Sequence, residues 1–163
     1  MRGLIRVLHA FMFAAWAHRG QKDKEGRAYL IHLVTVAWLA YGLTGESEAA
    51  VVGLLHDYVE DIEPCFGPET LQRWFGVPTA LSVRCLTRAR GMSYERYIQS
   101  ICWLVQDGSD PERAKVALAV KIADLLHNTQ PGRGELRAQK RAEYLAALQV
   151  LAQVRANISP EEG

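Results

Sequence analysis

Two segments of this chain are apolar on every face and yet run into ionisable residues. Val51-Val52-Gly53-Leu54-Leu55 leads directly into His56-Asp57, and Val116-Ala117-Leu118-Ala119-Val120 continues through Lys121 to Ile122-Ala123-Asp124-Leu125-Leu126. A helix that is apolar all round is buried on most sides. Both segments must therefore lie inside a molecule whose other elements cover them. The remaining apolar segments also recur at helical rather than alternating spacing, with turn residues between them. The pattern predicts an all-α fold, a single compact bundle of about six or seven helices spanning 1–163, with these two at its centre.

Boundary signals place the elements. The first helix is expected over Leu4–His18, its core face formed by Leu4, Val7, Leu8, Phe11, Ala15 and Trp16, and it ends at Gly20. The second covers Tyr29–Leu43, stopped by Thr44-Gly45, and the third runs from Glu46 or Ser47 to Asp61. Pro64, Gly67 and Pro68 read as a loop, followed by a short amphipathic piece, Glu69–Phe75, and a fourth main helix ending near Thr87. Ser93 opens a fifth that runs out at Asp107-Gly108. Asp110-Pro111-Glu112 is a helix start, with proline at the first position and acid at the positive end of the dipole. That helix continues to Asn128 and is ended by Pro131-Gly132. A last helix is expected from Glu135 to Asn157. Trp16, Trp38, Trp74 and Trp103 fall on apolar helical faces and are expected in the core, and Cys85 and Cys102 read as buried small hydrophobes.

Composition removes several classes of function. The chain has 163 residues, the size of one ordinary domain, and its 19 Lys and Arg against 18 Asp and Glu leave a net charge of +1. That balance supplies little counterion-release affinity and argues against a nucleic-acid or membrane-surface partner. No apolar run reaches the ~18 residues of a membrane span. Three cysteines without a CxxC pair fit neither a disulfide set nor a zinc ribbon, so a reducing cytoplasm is expected. Arg2, Arg6 and the apolar run to Ala17 resemble a secretory leader superficially, but His9 interrupts the run and its helical spacing favours a packed helix.

The chemistry resides in the charged interruptions. An His-Asp pair at the end of a buried helix needs a cation or an ion pair to offset its charge. On a continuous helix Glu60 stands over His56 and Asp61 over Asp57, so four ionisable groups share adjoining rows. The plainer reading is a polar, fraying helix end. Asp124 repeats the anomaly; here the plainer reading is an i,i+3 ion pair with Lys121, and Asn128 lies one turn further along the same face. His32, in Tyr29-Leu30-Ile31-His32, brings the set to two histidines and two carboxylates. Such a mixture of nitrogen and oxygen donors suits Mn, Fe, Co, Ni or Zn rather than Ca.

The order His32, His56-Asp57, Asp124 resembles that of the HD-domain metal-dependent phosphohydrolases, an all-helical superfamily. More narrowly, Ala17-His18-Arg19-Gly20-Gln21, Tyr29-Leu30-Ile31-His32, Leu54–Asp61, Phe75-Gly76-Val77, Leu86-Thr87-Arg88 and Lys121–Asn128 resemble the (p)ppGpp hydrolase domain of RelA/SpoT proteins, over roughly residues 10–130. The resemblance implies one Mn²⁺ held by His32, His56, Asp57 and Asp124, and a water that removes the 3′-pyrophosphate of a guanosine nucleotide. It assigns Glu60 and Asp61 to that water and to the leaving oxygen. Asn128 matches a nucleotide-contacting position and Lys24 a residue facing the phosphates, with Lys22 and Arg27 assisting. Length leaves no room for a synthetase domain, so the chain resembles a stand-alone hydrolase module.

Three departures fall in substrate recognition and none in the metal set. Asp23 stands where these hydrolases carry an arginine that packs on the base, Ala28 replaces a proline, and Pro131 replaces a threonine. A carboxylate offers no planar cation to stack on a base. Two alternatives follow: an HD hydrolase of another nucleotide phosphate, or a nucleotide-sensing or partner-binding module without catalysis. Arg84, Arg88, Arg90 and Arg96 around Gly91-Met92-Ser93-Tyr94 form either a rim over the phosphates or a set of solvated cations. Arg133, Arg137, Lys140 and Arg141, interleaved with Glu135 and Glu143, read as a salt-bridged solvent face.

Overall fold

The computed structural model describes residues 1–62, 67–131 and 138–158. In those residues the chain forms nine helical segments: α1 Arg2–Ala17, α2 Leu30–Thr44, α3 Ser47–Leu55, α4 Tyr58–Ile62, α5 Gly67–Phe75, α6 Val77–Leu86, α7 Tyr94–Asp107, α8 Pro111–Asn128 and α9 Ala138–Ile158. The only extended pairing among the described residues is an isolated bridge between Lys22 and Ala28. The two all-apolar segments are central, as expected. α3 is buried at every position from Ala49 to Leu55 and packs on α1, α2, α6 and α8, while α8 is also covered by α7 and α9. Pro64, Gly132 and the expected start of the last helix at Glu135 lie outside the described residues.

Several ends form as the sequence indicates. Gly45 takes a left-handed conformation (φ 73°) and donates its N–H to Tyr41 O at 2.7 Å, closing α2. Asp110 and Ser93 accept from the N–H of Arg113 and Arg96 at the starts of α8 and α7. Other ends are closed from a distance, which spacing does not reveal. Tyr97 Oη donates to Leu86 O at the end of α6, and Arg155 Nη2 donates to Leu43 O at the end of α2.

Three expectations change. The third helix is not continuous to Asp61: it breaks at His56-Asp57, where His56 Nδ1 donates to Gly53 O at 2.8 Å and α4 starts afresh at Tyr58. Gly67 and Pro68 belong to α5 rather than to a loop. α1 turns its small residues inward: Ala10 and Ala14 are buried and Val7, Phe13 and Ala17 pack against the core, while Leu4, Leu8, Phe11 and Trp16 are exposed. Because α1 is apolar nearly all round, period alone could not select its inner stripe. Close approach to α3 selected alanine and glycine. Trp16, Trp38, Trp74 and Trp103 are likewise all on the surface, and Cys85 and Cys102 are half-buried free thiols.

Candidate active site

The break at His56-Asp57 allows one cluster to draw on three elements. α2 contributes His32, the α3–α4 junction contributes His56 and Asp57, and α8 contributes Asp124. His32 Nε2 lies 3.4 Å from Asp57 Oδ2 and 3.5 Å from Asp124 Oδ1, and His56 Nε2 lies 3.1 and 3.8 Å from the same two oxygens. One ligand atom from each of His32, His56 and Asp124 falls within 4.8 Å of the others, and all three residues are buried. The charges interlock. Burial alone would lower the His56 pKa, but the Asp57 and Asp124 carboxylates hold it well above its usual value. Burial would raise Asp57, and the two histidines instead hold it well below the carboxylate range. Asp124 is likewise lowered against the pull of burial, mainly by Lys121.

Supporting residues orient each donor. His56 Nδ1 is committed to Gly53 O and His32 Nδ1 to His127 Nδ1 at 2.8 Å, so both Nε2 atoms face the cluster. Tyr29 Oη donates to Asp57 Oδ2 at 2.5 Å. Lys121 Nζ donates to Asp124 Oδ2 at 2.8 Å and Asn128 Nδ2 to Asp124 Oδ1 at 2.6 Å. The i,i+3 ion pair read from the sequence therefore forms, and it coexists with the cluster. His56 Nε2 is buried and makes no aligned hydrogen bond, only the close ion-pair approaches to Asp57 and Asp124. A buried ring nitrogen left open beside two carboxylates and a second imidazole is a fit for a divalent cation, which these four residues would hold through nitrogen and oxygen donors.

The cluster forms the floor of a cavity of about 720 Å³, within the ~300–1,000 Å³ usual for small-molecule sites. Glu60 and Asp61, now on α4, line its wall. Glu60 accepts from Arg88 N at 2.6 Å, and Asp61 accepts from Gln21 Nε2 at 2.8 Å. Gln21 is in turn held by the buried His18. Lys22, Lys24 and Asn128 also line the cavity, and of the four rim arginines only Arg88 does.

Arg27 departs from its expected place. It is not among the lining residues, and its guanidinium pairs with Asp23 and Glu25. Asp23 does line the cavity, but its carboxylate accepts from the N–H groups of Glu25 and Arg27 as well as from Arg27 Nε, stapling the 21–29 loop. The loop thus consumes both charges. Residues missed by sequence reading include Tyr29 and His127 behind the donors, and Tyr94, Tyr97 and Tyr144 in the wall. Lys140 and Glu143, read as a solvent face, line the cavity too. Lys140 and Glu143 are three apart, and each stands four residues from Tyr144 or Gln139 on the same side of α9, which was the available signal.

Comparison with known proteins identifies relatives of the chain. The chain is 31% identical over 152 residues to a GTP pyrophosphokinase of Streptomyces coelicolor, covering 91% of this chain and 17% of that protein. It is 31% identical over 129 residues to a probable guanosine-3′,5′-bis(diphosphate) 3′-pyrophosphohydrolase of Synechocystis, covering 75% of this chain and 16% of that one. It is 28% identical over 144 residues to the bifunctional (p)ppGpp synthase/hydrolase SpoT of Escherichia coli K12, covering 83% and 19%. The chain thus spans less than a fifth of the length of these relatives. A solved structure of a metazoan SpoT orthologue described as hydrolysing ppGpp superposes with a TM-score of 0.68 at 21% identity, over 91% of this chain and 84% of that one, and shows the same fold. The family model described as HD domain matches residues 10–157, and with its paired histidines and aspartates at the floor of a cavity the chain belongs to the HD-domain family.

Proposed function

We propose that the chain is a metal-dependent phosphohydrolase that removes the 3′-pyrophosphate from guanosine 3′,5′-bis(diphosphate) and its close analogues. The observation that carries this is the convergence of His32, His56, Asp57 and Asp124 in a cavity that Glu60 and Asp61 also line. Relatives named as 3′-pyrophosphohydrolase and as (p)ppGpp synthase/hydrolase support the substrate. The mixed imidazole–carboxylate set supports Mn²⁺ as the cation. A divalent cation bound there lowers the pKa of a water and polarises a phosphoryl oxygen.

The chain's own residues perform the remaining work. A water oxygen forms a bond to the phosphorus attached to O3′, and the P–O3′ bond breaks. One carboxylate of the Glu60–Asp61 pair takes the water proton, and the leaving O3′ is protonated from the same pair. Arg88 N and Gln21 Nε2 fix those carboxylates. Lys22, Lys24 and Arg88 face the cavity, where they bind phosphate oxygens. Asn128 connects the nucleotide side of the cavity to Asp124.

The test combines substrate and variant. Mn²⁺-loaded protein is incubated with ppGpp, pppGpp and a panel of other nucleotide phosphates, with phosphate and pyrophosphate both quantified. The expected result is pyrophosphate from the 3′-substituted guanosines, reduced by about 10²–10⁴-fold in Glu60→Gln and in Asp61→Asn with cation binding retained. Turnover of a different nucleotide alone would shift the reading to another substrate. Absence of turnover on every substrate would reduce the chain to a binding module.

A further inference from the structure

The exposed residues of α1 and α2 have a pattern that the site does not use. Ile31, Val34, Trp38 and Tyr41 are all exposed on α2, at spacings of three, four and three, and Trp38 shows 75% of its surface. On α1, Leu4, Leu8 and Phe11 repeat the same interval, with Leu4 at 75%. Such a/d stripes are the seam by which helices pack on other helices. The flank of α1 bearing Arg6, His9 and Phe13 meets Thr79, Trp74 and Phe75 of the α5–α6 side. Its opposite flank, with Leu4, Leu8 and Phe11, is therefore turned to the α2 side. The two helices pack on each other and on the buried α3.

Neither stripe is broken by charge. α2 has no Asp, Glu, Lys or Arg in its 15 residues, and α1 has none from Val7 to Ala17. Taking roughly 150–250 Å² for a large side chain, with the aromatic ones at the upper end, the exposed fractions of these seven residues amount to roughly 600–900 Å² of largely apolar surface. A monomer's largest apolar patch is usually ~300–600 Å², and a stable interface buries ~800 Å² on each partner. A partner recognised by charge is not served by this face, whereas a copy of the same two stripes is.

We propose that the α1–α2 face pairs with the same face of a second copy of this chain across a two-fold axis, giving a four-helix interface of α1 and α2 from each protomer. This pairing clamps the outer side of α2, whose inner side carries His32. It is independent of the substrate.

Sedimentation equilibrium of the full chain between 1 and 100 µM tests the pairing. The expected mass is twice the chain's 18.2 kDa, and the double substitution Leu8→Lys with Trp38→Lys, both exposed in the protomer, is expected to give the protomer mass with an unchanged helical circular-dichroism spectrum. Should that variant misfold, Val34→Cys supplies a second readout. The thiols it introduces on two copies would crosslink across the axis under a short bis-maleimide, and the wild type with its own three cysteines, Cys65, Cys85 and Cys102, serves as the control. A wild-type protomer mass at 100 µM would overturn the proposal, and so would a dimer that persists in the double variant. Protomers that co-float with phosphatidylcholine vesicles in a Trp38-dependent manner would overturn it in favour of a lipid surface.

Discussion

Gly53 is the position where packing and chemistry meet most closely. A Cβ there would lie 2.7 Å from Ala37 Cα and 3.0 Å from Ala37 N, backbone atoms of α2 that no rotamer change can move. Ordinary carbon contacts sit near ~3.5–4.0 Å, so Gly53→Ala must part α2 and α3 by about 1 Å. Helix propensity alone would make the substitution stabilising by about 1 kcal/mol. Overpacking costs about 1–3 kcal/mol, toward the upper end where backbone must shift, and the balance is a net loss of about 1–2 kcal/mol. The same displacement separates His32 on α2 from His56, whose Nδ1 also depends on the Gly53 carbonyl. Metal donors tolerate only ~0.2 Å of error, and Mn²⁺ affinity should fall about 10–100-fold. Urea denaturation of the metal-free protein and calorimetric Mn²⁺ titration measure the two effects. Ala37→Gly added to Gly53→Ala should not rescue either, because the clash is with backbone. A stabilised Gly53→Ala protein with unchanged Mn²⁺ affinity would refute the reasoning.

Other predictions follow from the supporting residues. Lys121→Met removes the buried partner of Asp124 and should cost the metal-free protein about 3 kcal/mol. Added cation should recover more of that loss than it adds to the wild type. An equal loss with and without cation, measured by urea denaturation, would assign Lys121 to packing alone. Asp23→Ala removes one of the two carboxylate partners of Arg27 and leaves two loop N–H groups without their acceptor, so KM should rise severalfold while Mn²⁺ affinity stays unchanged. Steady-state kinetics showing an unaltered KM would contradict a role for the stapled loop in substrate binding.

Much of the centre was legible because its residues violate their surroundings. A carboxylate in an all-apolar helix, as at Asp124, or an His-Asp pair after Val51–Leu55, has few explanations, and these interruptions, with His32, are the residues that the fold brings together. What stayed hidden had no such contrast. α1 is apolar nearly all round, so the choice of Ala10 and Ala14 over Leu4 and Leu8 as its inner face depended on the close fit against α3. The break at His56-Asp57 has no glycine or proline to announce it. Arg27 is expected beside Lys24 at the phosphates because the two share one charged loop, whereas its guanidinium is occupied by Asp23 and Glu25 of the same loop. Lys140 and Glu143 looked like alternating solvent charges because the cavity they line is formed by helices far away in the sequence.

The central claim is that donors from α2, the α3–α4 junction and α8 hold one cation. Calorimetric titration of metal-stripped protein with Mn²⁺ tests it directly, alongside Asp124→Ala and His32→Ala. The account predicts one Mn²⁺ per chain in the wild type and at least about 100-fold weaker binding in each variant. Absence of stoichiometric binding in the wild type, or full affinity retained in Asp124→Ala, would contradict it.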